Sequence, residues 1–295
     1  MKKNEFLEPT LNLFFMKNRN LLICIILLFG ITTFFISCEN EDSLINTPST
    51  TQIEKSSSYH AYESFFIEIG QYHNSVLDYV AKNGDVSVLT REERFNLATK
   101  FTKSGNKWSE MEKLGDELLY IVENESSIVS ILETPPFSKS ALAYIDELNT
   151  CFDNAIYSAR MGSPLKPSDF NKSIDIIINK IYENEKVIVD TTQCFYNEFA
   201  MVVAGCYLAK ATFEYWYNSA IDTNGLWYGY LDLYASSKLP PWIKRAWHGV
   251  KVAAVDTYAW VTANGSYMDE DGYVHYTWNV PQANYYASEA SGSVK

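Results

Sequence analysis

The chain has 295 residues, of which 47% are hydrophobic and 15% aromatic, and tyrosine alone contributes 21. That is a globular composition, far from disorder, with enough apolar mass for a sizeable core. Its 24 Lys and Arg stand against 36 Asp and Glu, a formal charge of −12, and an acidic body of this kind repels phosphate backbones and anionic lipid head groups alike, which argues against nucleic acid as a partner.

Residues 1–15 carry Glu5 and Glu8, which sit badly ahead of an apolar secretory run, so the start is expected at Met16 and the first fifteen residues are expected to carry no fold. Met16-Lys17-Asn18-Arg19-Asn20 forms a basic head, Leu21 to Ile36 an apolar run, and Ser37 a small residue before Cys38. These are the parts of a secretory signal over 16–37. The run is shorter than the ~20 residues a spanning helix needs. Phe35-Ile36-Ser37-Cys38 resembles the lipobox of bacterial lipoproteins. That resemblance implies a diacylglyceryl group and palmitate-type acyl chains on Cys38, and makes the membrane the first expected partner. Two or three acyl chains, at about 0.8 kcal/mol per buried methylene, hold a protein in a bilayer permanently.

Glu39-Asn40-Glu41-Asp42 and a polar stretch rich in Ser and Thr up to Ser58 read as a solvated tether over 38–58. The acidic cluster resembles the surface-export signal of Bacteroidota lipoproteins and implies an outer-membrane protein facing the cell exterior. Asp42-Ser43-Leu44 resembles the short O-glycosylation motif of that phylum.

Residues 59–224 read as a helical body. Tyr62, Phe65, Phe66, Ile69, Tyr72, Val76, Leu77, Tyr79 and Val80 recur at three and four residues, one face of a helix that Asn83-Gly84 should close with a left-handed glycine. Thr90 with Glu93 forms a capping box for a second helix through Phe95, Leu97 and Phe101. A third pattern runs through Trp108, Met111, Leu114, Leu118 and Ile121, before Pro135-Pro136 interrupts the chain. Ser138 or Ser140 is expected to cap a helix carrying Leu142, Tyr144, Ile145, Leu148 and Phe152, and Ser168 the next, with Phe170, Ile174, Ile176, Ile177, Ile178 and Ile181. Asp190 is expected to cap a long central helix to about Asn218, apolar on nearly every side from Phe199 to Leu208, in which Lys210 can pair with Glu214 one turn on. On that helix Cys194 and Cys206 lie too far apart to bridge, so any disulfide involves Cys151; three buried thiols are the preferred reading.

From residue 225 to 295 the texture becomes aromatic, and this part is expected to pack on the body. Trp227, Tyr228, Tyr230 and Tyr234 crowd a loop, Pro241 starts a helix through Trp242, Trp247, Val250 and Tyr258, and Asn264-Gly265 ends it. Alternation from Tyr273 to Trp278 after the turn Asp269-Glu270-Asp271-Gly272 suggests a small hairpin or an extended loop, and Pro281 can begin a last short helix. The fold class is therefore all-α, a multi-helix bundle with a small aromatic-rich C-terminal elaboration and one short hairpin.

Gly70-Gln71-Tyr72-His73-Asn74-Ser75-Val76-Leu77 and Phe213-Glu214-Tyr215-Trp216-Tyr217 resemble two landmarks of a family of Bacteroidota surface lipoproteins whose helical body is often followed by a glycine-rich, bacteriocin-like tail. The stretch 251–295 has few glycines and departs from that tail. The resemblance implies an address and a helical body, and no activity.

The chain holds no HExxH, P-loop or GxSxG motif, and no Glu stands three residues before a histidine. No metal site or cofactor is therefore expected, and no catalytic residue is assigned. His73 with Asn74 is the one polar pair on an apolar helix face, read first as a hydrogen-bonded core pair. His248 and His275 read as half-exposed packing residues, and Asp269, Glu270 and Asp271 as a solvated turn in preference to a Ca²⁺ loop. The preferred function is a surface interaction module that binds a glycan or protein through Trp227, Tyr228, Trp242 and Trp278, which requires exposed rings. The alternatives are a hydrolase or lyase using His73 or His275 and a bacteriocin-like or immunity protein.

Overall fold

The computed structural model describes residues 62–103, 108–132, 137–190, 195–233, 238–262, 265–268 and 274–277. Within them the chain is an all-α, multi-helix fold. Its helices are α1 (Glu63–Asn83), α2 (Arg91–Thr102), α3 (Trp108–Glu123), α4 (Lys139–Arg160), α5 (Pro167–Asn184), α6 (Glu198–Ile221), α7 (Tyr228–Leu233) and α8 (Pro241–Thr262). Cys38, Asp269 to Asp271, Trp278 and the helix expected from Pro281 lie outside the described residues.

Local chemistry sets most of the helix ends. Thr90 Oγ1 accepts from the Glu93 amide while the Glu93 carboxylate accepts from the Thr90 amide, the reciprocal capping box that the spacing predicts. Ser138 caps α4 by accepting from the Ala141 amide. Two other expected caps are corrected. Pro167 is the first residue of α5, so its fixed φ starts the helix one residue ahead of Ser168 and Lys166 takes the cap position. The central helix α6 begins at Glu198, eight residues after Asp190, because Asn197 is the residue whose side chain accepts from the Ala200 amide. Asp190 instead pairs with Phe195 in a strand, so Cys194 precedes the helix. Gly84 closes α1 in an extended conformation, φ −150°, and no left-handed stop is needed there.

Four short antiparallel strands follow the order β1-β2-β4-β3, with β1 Val189–Asp190, β2 Phe195–Tyr196, β3 Gly265–Met268 and β4 Val274–Thr277. The expected hairpin is therefore present as β3 and β4, with Gly265 opposite Thr277 and Met268 opposite Val274. Its second strand also pairs with β2 across Phe195 and Thr277, which ties the C-terminal part to the entrance of α6.

Helices α6 and α8 form the centre. On α8 every residue from Val250 to Val261 is buried, and the helix lies along α6 while also touching α3, α4 and α7. The segment expected as part of a C-terminal elaboration thus runs through the middle of the body. Its direction is opposite to that of α6: Thr212 reaches the Ala253 carbonyl and Ala220 the Arg245 side chain. Helix α1 runs parallel to α6, since Glu63 meets Tyr207 and Asp78 meets Tyr215. Close backbone approach at this crossing needs Gly70, where an added Cβ would lie 2.4 Å from the Ala211 Cβ. Beneath α5 the rings of Phe170 and Phe213 stack at 3.9 Å with Phe152 beside them, side chains whose burial contributes roughly 1.5–3 kcal/mol each. Among the described residues no helix is long and apolar enough to cross a membrane.

Candidate functional site

His73 is placed on the buried face of α1 by the spacing that buries Ile69, Val76 and Leu77 around it. Its side chain has no exposed surface, and its Nε2 lies 3.2 Å from Asp256 Oδ2, a carboxylate that is equally enclosed. The Trp216 indole Nε1 donates to the same oxygen at 2.7 Å. One carboxylate in the middle of α8 therefore gathers donors from α1 and α6. In the Nε2–H tautomer His73 donates to it, and the other ring nitrogen, Nδ1, has no hydrogen-bond partner among the described residues. Buried ionisable groups of this kind persist where partners compensate lost hydration. Asn74, one residue on, points its amide at the Ala211 carbonyl, 3.3 Å away. The pair is thus split: His73 belongs to the core centre, and Asn74 to the seam between α1 and α6.

Helix α8 carries three buried basic side chains besides, each with a partner. Arg245 donates from Nε to the Ala220 carbonyl at 2.9 Å and from a terminal nitrogen to Asp232 at 3.1 Å, with its guanidinium 4.5 Å from the Tyr228 ring. Lys251 reaches Glu123 at 3.3 Å. His248, expected half-exposed, is buried, with Nδ1 3.3 Å from the Leu231 carbonyl and its ring against Tyr230. Lys210 does not use Glu214; it crosses to Asp175 on α5 at 2.7 Å.

The aromatic residues divide. Trp227 is 3% exposed, standing edge-on to Trp216 and Tyr230, so it offers no face for stacking on a ligand. Tyr228 is half-buried under Arg245, whereas Trp242 is 43% exposed at the start of α8. His275 lies on β4, and Trp278 is outside the described residues.

One open cleft, of about 270 Å³, adjoins Trp227. It is lined by Asp78 of α1, Tyr215, Asn218 and Ser219 of α6, and Asp222, Gly225, Leu226 and Trp227 of the following turn. A hydrogen-bond chain forms its wall: Trp227 Nε1 donates to the Tyr215 hydroxyl at 2.9 Å, which donates to Asp78 Oδ1 at 2.8 Å. Burial, and then the bond to Asp78, pushes the Tyr215 hydroxyl well above the ordinary phenol range, so it remains a donor at any physiological pH. Asp222 accepts from the Asn224 amide, holding the turn that brings Leu226 to the rim. The cleft thus offers carboxylate, amide and hydroxyl groups to solvent beside an apolar edge. Nothing in it pairs a nucleophile with a base.

On the far side of α8, Tyr258 donates to Asn149 at 2.7 Å and Asn149 to Asp153 at 2.9 Å. Burial, and then the neighbouring Glu125 and Asp146, raises the Asp153 carboxyl from 3.8 to about 6. Cys151 and Cys206 are free thiols, and burial pushes Cys151 up to about 11 and Cys206 higher, so neither is an activated nucleophile. Among the described residues no group of three His, Cys, Asp or Glu side chains is placed to hold a metal ion.

Sequence reasoning missed Asp256 as the partner of His73, and Trp216 as the second donor to that carboxylate. A signal was present, since Asp256 is the one charge between Val252 and Val261 in an apolar run. The wall formed by Asp78, Tyr215 and Trp227 had no such signal, because three residues far apart in sequence meet only through the crossing of α1 and α6. No protein-family model matches this chain, and no curated protein or solved structure is significantly similar to it.

Proposed function

We propose that this chain is a lipid-anchored interaction module of the bacterial cell envelope, holding a small glycan in the cleft beside Trp227. The lipobox-like Phe35-Ile36-Ser37-Cys38 supports the anchor. The observation that carries the binding role is where polar chemistry meets solvent: Asp78, Asn218, Ser219 and Asp222 share one open cleft. Sugar hydroxyls both donate and accept, which suits a mixed set of carboxylates, an amide and a hydroxyl. The aromatic contribution differs from a stacking platform, since Trp227 serves as a fixed wall whose indole N–H is already used by Tyr215. A hydrolase built on His73 is disfavoured, because a ring with no exposed surface presents no base to a substrate.

An array of bacterial and host glycans, probed with the mature chain, tests this. Binding to a defined glycan class that Asn218→Ala combined with Ser219→Ala weakens about tenfold is the expected result, the effect of losing one or two hydrogen bonds. No binding, or binding indifferent to these substitutions, overturns the cleft as the site.

A further inference from the structure

The cleft beside Trp227 has a charge as well as a shape. Of the residues that line it, the charged ones, Asp78 and Asp222, are both carboxylates. Two more carboxylates stand close by. Glu214 is exposed one turn before Asn218 on α6, and Asp85 accepts from the hydroxyl of Ser87, a residue that packs against Gly229 just past Trp227. Two guanidiniums are buried behind the aromatic wall: Arg94 lies 4.9 Å from the centre of the Tyr230 ring, and Arg245 is held by the Ala220 carbonyl and Asp232. The groups that meet solvent around the opening are therefore mainly negative, which favours a cationic ligand and repels an anionic one.

A cation from the chain itself already approaches this carboxylate pair. Lys82, one turn beyond Asp78 on α1, places Nζ 3.5 Å from Asp78 Oδ2, with the two side chains 62% and 43% exposed. An exposed pair at that distance contributes little, so an incoming ammonium can exchange with it. The other oxygen is committed: Asp78 Oδ1 accepts from Tyr215 at 2.8 Å, and the Tyr215 hydroxyl accepts from Trp227. Asp78 is thus oriented from its buried side and keeps Oδ2 for an exchangeable cation. Asp222 is braced as well, its Oδ1 accepting from the Asn224 amide at 2.9 Å. At about 270 Å³ the cleft falls just below the roughly 300–1,000 Å³ of sites for drug-sized ligands, and so suits a sugar ring with its substituents.

We propose that the cleft selects a hexosamine with a free amino group, whose ammonium takes the place of Lys82 at Asp78 with Asp222 beside it, while the ring hydroxyls meet Asn218 and Ser219. Charge-assisted hydrogen bonds are about twice as strong as neutral ones, so the ammonium decides the preference and the hydroxyls add to it. The inference rests on the glycan reading of this cleft and names the class of sugar.

The test is a calorimetric titration of the mature chain at pH 6 with three ligands: the β-1,4 disaccharide of glucosamine, its di-N-acetylated form, and putrescine. The amino disaccharide should bind about tenfold more tightly than either of the others. Asp222→Asn, which keeps an acceptor for Asn224, should narrow the preference over the acetylated form to about twofold. Lys82→Gln should widen it about threefold by removing the competing ammonium. Lys180→Gln removes the same charge near the start of α6, where Lys180 pairs with Glu147 close to the contact of Tyr144 with Phe199, and should leave the preference unchanged. Circular dichroism checks that each variant remains folded. Equal binding of the two disaccharides, or a preference indifferent to Asp222→Asn and Lys82→Gln, overturns the selection by charge and leaves the glycan cleft standing. Putrescine binding as tightly as the amino disaccharide overturns the sugar class. Failure of both disaccharides to bind overturns the proposal, and the glycan array then decides whether the cleft reading falls with it.

Discussion

Asp256 concentrates the cost and the benefit of a buried charge in one side chain. Its carboxylate has no exposed surface and accepts from Trp216 at 2.7 Å, with His73 Nε2 at 3.2 Å, so three helices meet through one group. Removing it strands two polar partners that have no access to water. Asp256→Ala is expected to lose roughly 3–5 kcal/mol of stability in urea unfolding, the range for breaking a buried pair from one side. Asp256→Asn retains one acceptor oxygen and should lose distinctly less. A loss under about 0.5 kcal/mol for the alanine variant would mean that the cluster is a passenger of the packing around it. His73 was legible as a core residue from the spacing on α1, and its partner was not. Periodicity says which way a residue faces, and it does not say which distant helix faces it.

At the scale of elements, the crossing of α1 and α6 is set by the absence of a side chain. An added Cβ at Gly70 would come within 2.4 Å of the Ala211 Cβ, and a methyl group attached directly to a helix backbone cannot rotate away. Gly70→Ala should improve helix propensity by about 1 kcal/mol and cost about 1–3 kcal/mol in overpacking, so a net loss is expected. In an Ala211→Gly background the overlap disappears, and the same substitution should change sign and stabilise. Thermal melts of the four proteins check this, and a loss of equal size in both backgrounds would place the strain elsewhere. Much of this layer was readable in the sequence: the capping box at Thr90, the Ser138 cap, the apolar faces of α1 and α5, and the terminal hairpin. What was not readable depended on contacts. Asp190 resembles a cap as well as Asn197 does, and only the pairing of Phe195 with Thr277 on a remote strand decides between them. In the same way, the burial of Arg245, His248, Lys251 and Asp256 could not be read from α8 by itself, because another element supplies each partner. The cleft was the least legible feature, being made where two helices and a turn meet.

For the whole molecule, 36 acidic residues against 24 basic ones leave some carboxylates beside one another, and Asp153 shows the effect. Its half-buried carboxyl takes a bond from Asn149, which in turn fixes the buried Tyr258, and burial with Glu125 and Asp146 raises its titration from 3.8 to about 6. The folded chain therefore holds a proton that the unfolded chain has released between about pH 4 and about pH 6. Since the unfolded state binds fewer protons there, the contribution of this group to stability falls as pH rises through that window, and it is most favourable below the lower value. This slope opposes the usual one for surface carboxylates, whose lowered values make stability rise with pH. Asp85 and Glu93, held low by hydrogen bonds from Ser87 and Thr90, act in that ordinary direction. Asp153→Asn retains an acceptor for Asn149 and removes the charge beside Glu125 and Asp146. The variant should therefore melt above the wild type at pH 8, and the difference should shrink steadily as the pH is lowered to 4. Carboxyl-resolved NMR should find Asp153 titrating near the same upper value. A wild type that gains stability relative to Asp153→Asn as the pH rises would show that this carboxyl is solvated and that the chain of bonds through Asn149 to Tyr258 does not bury it.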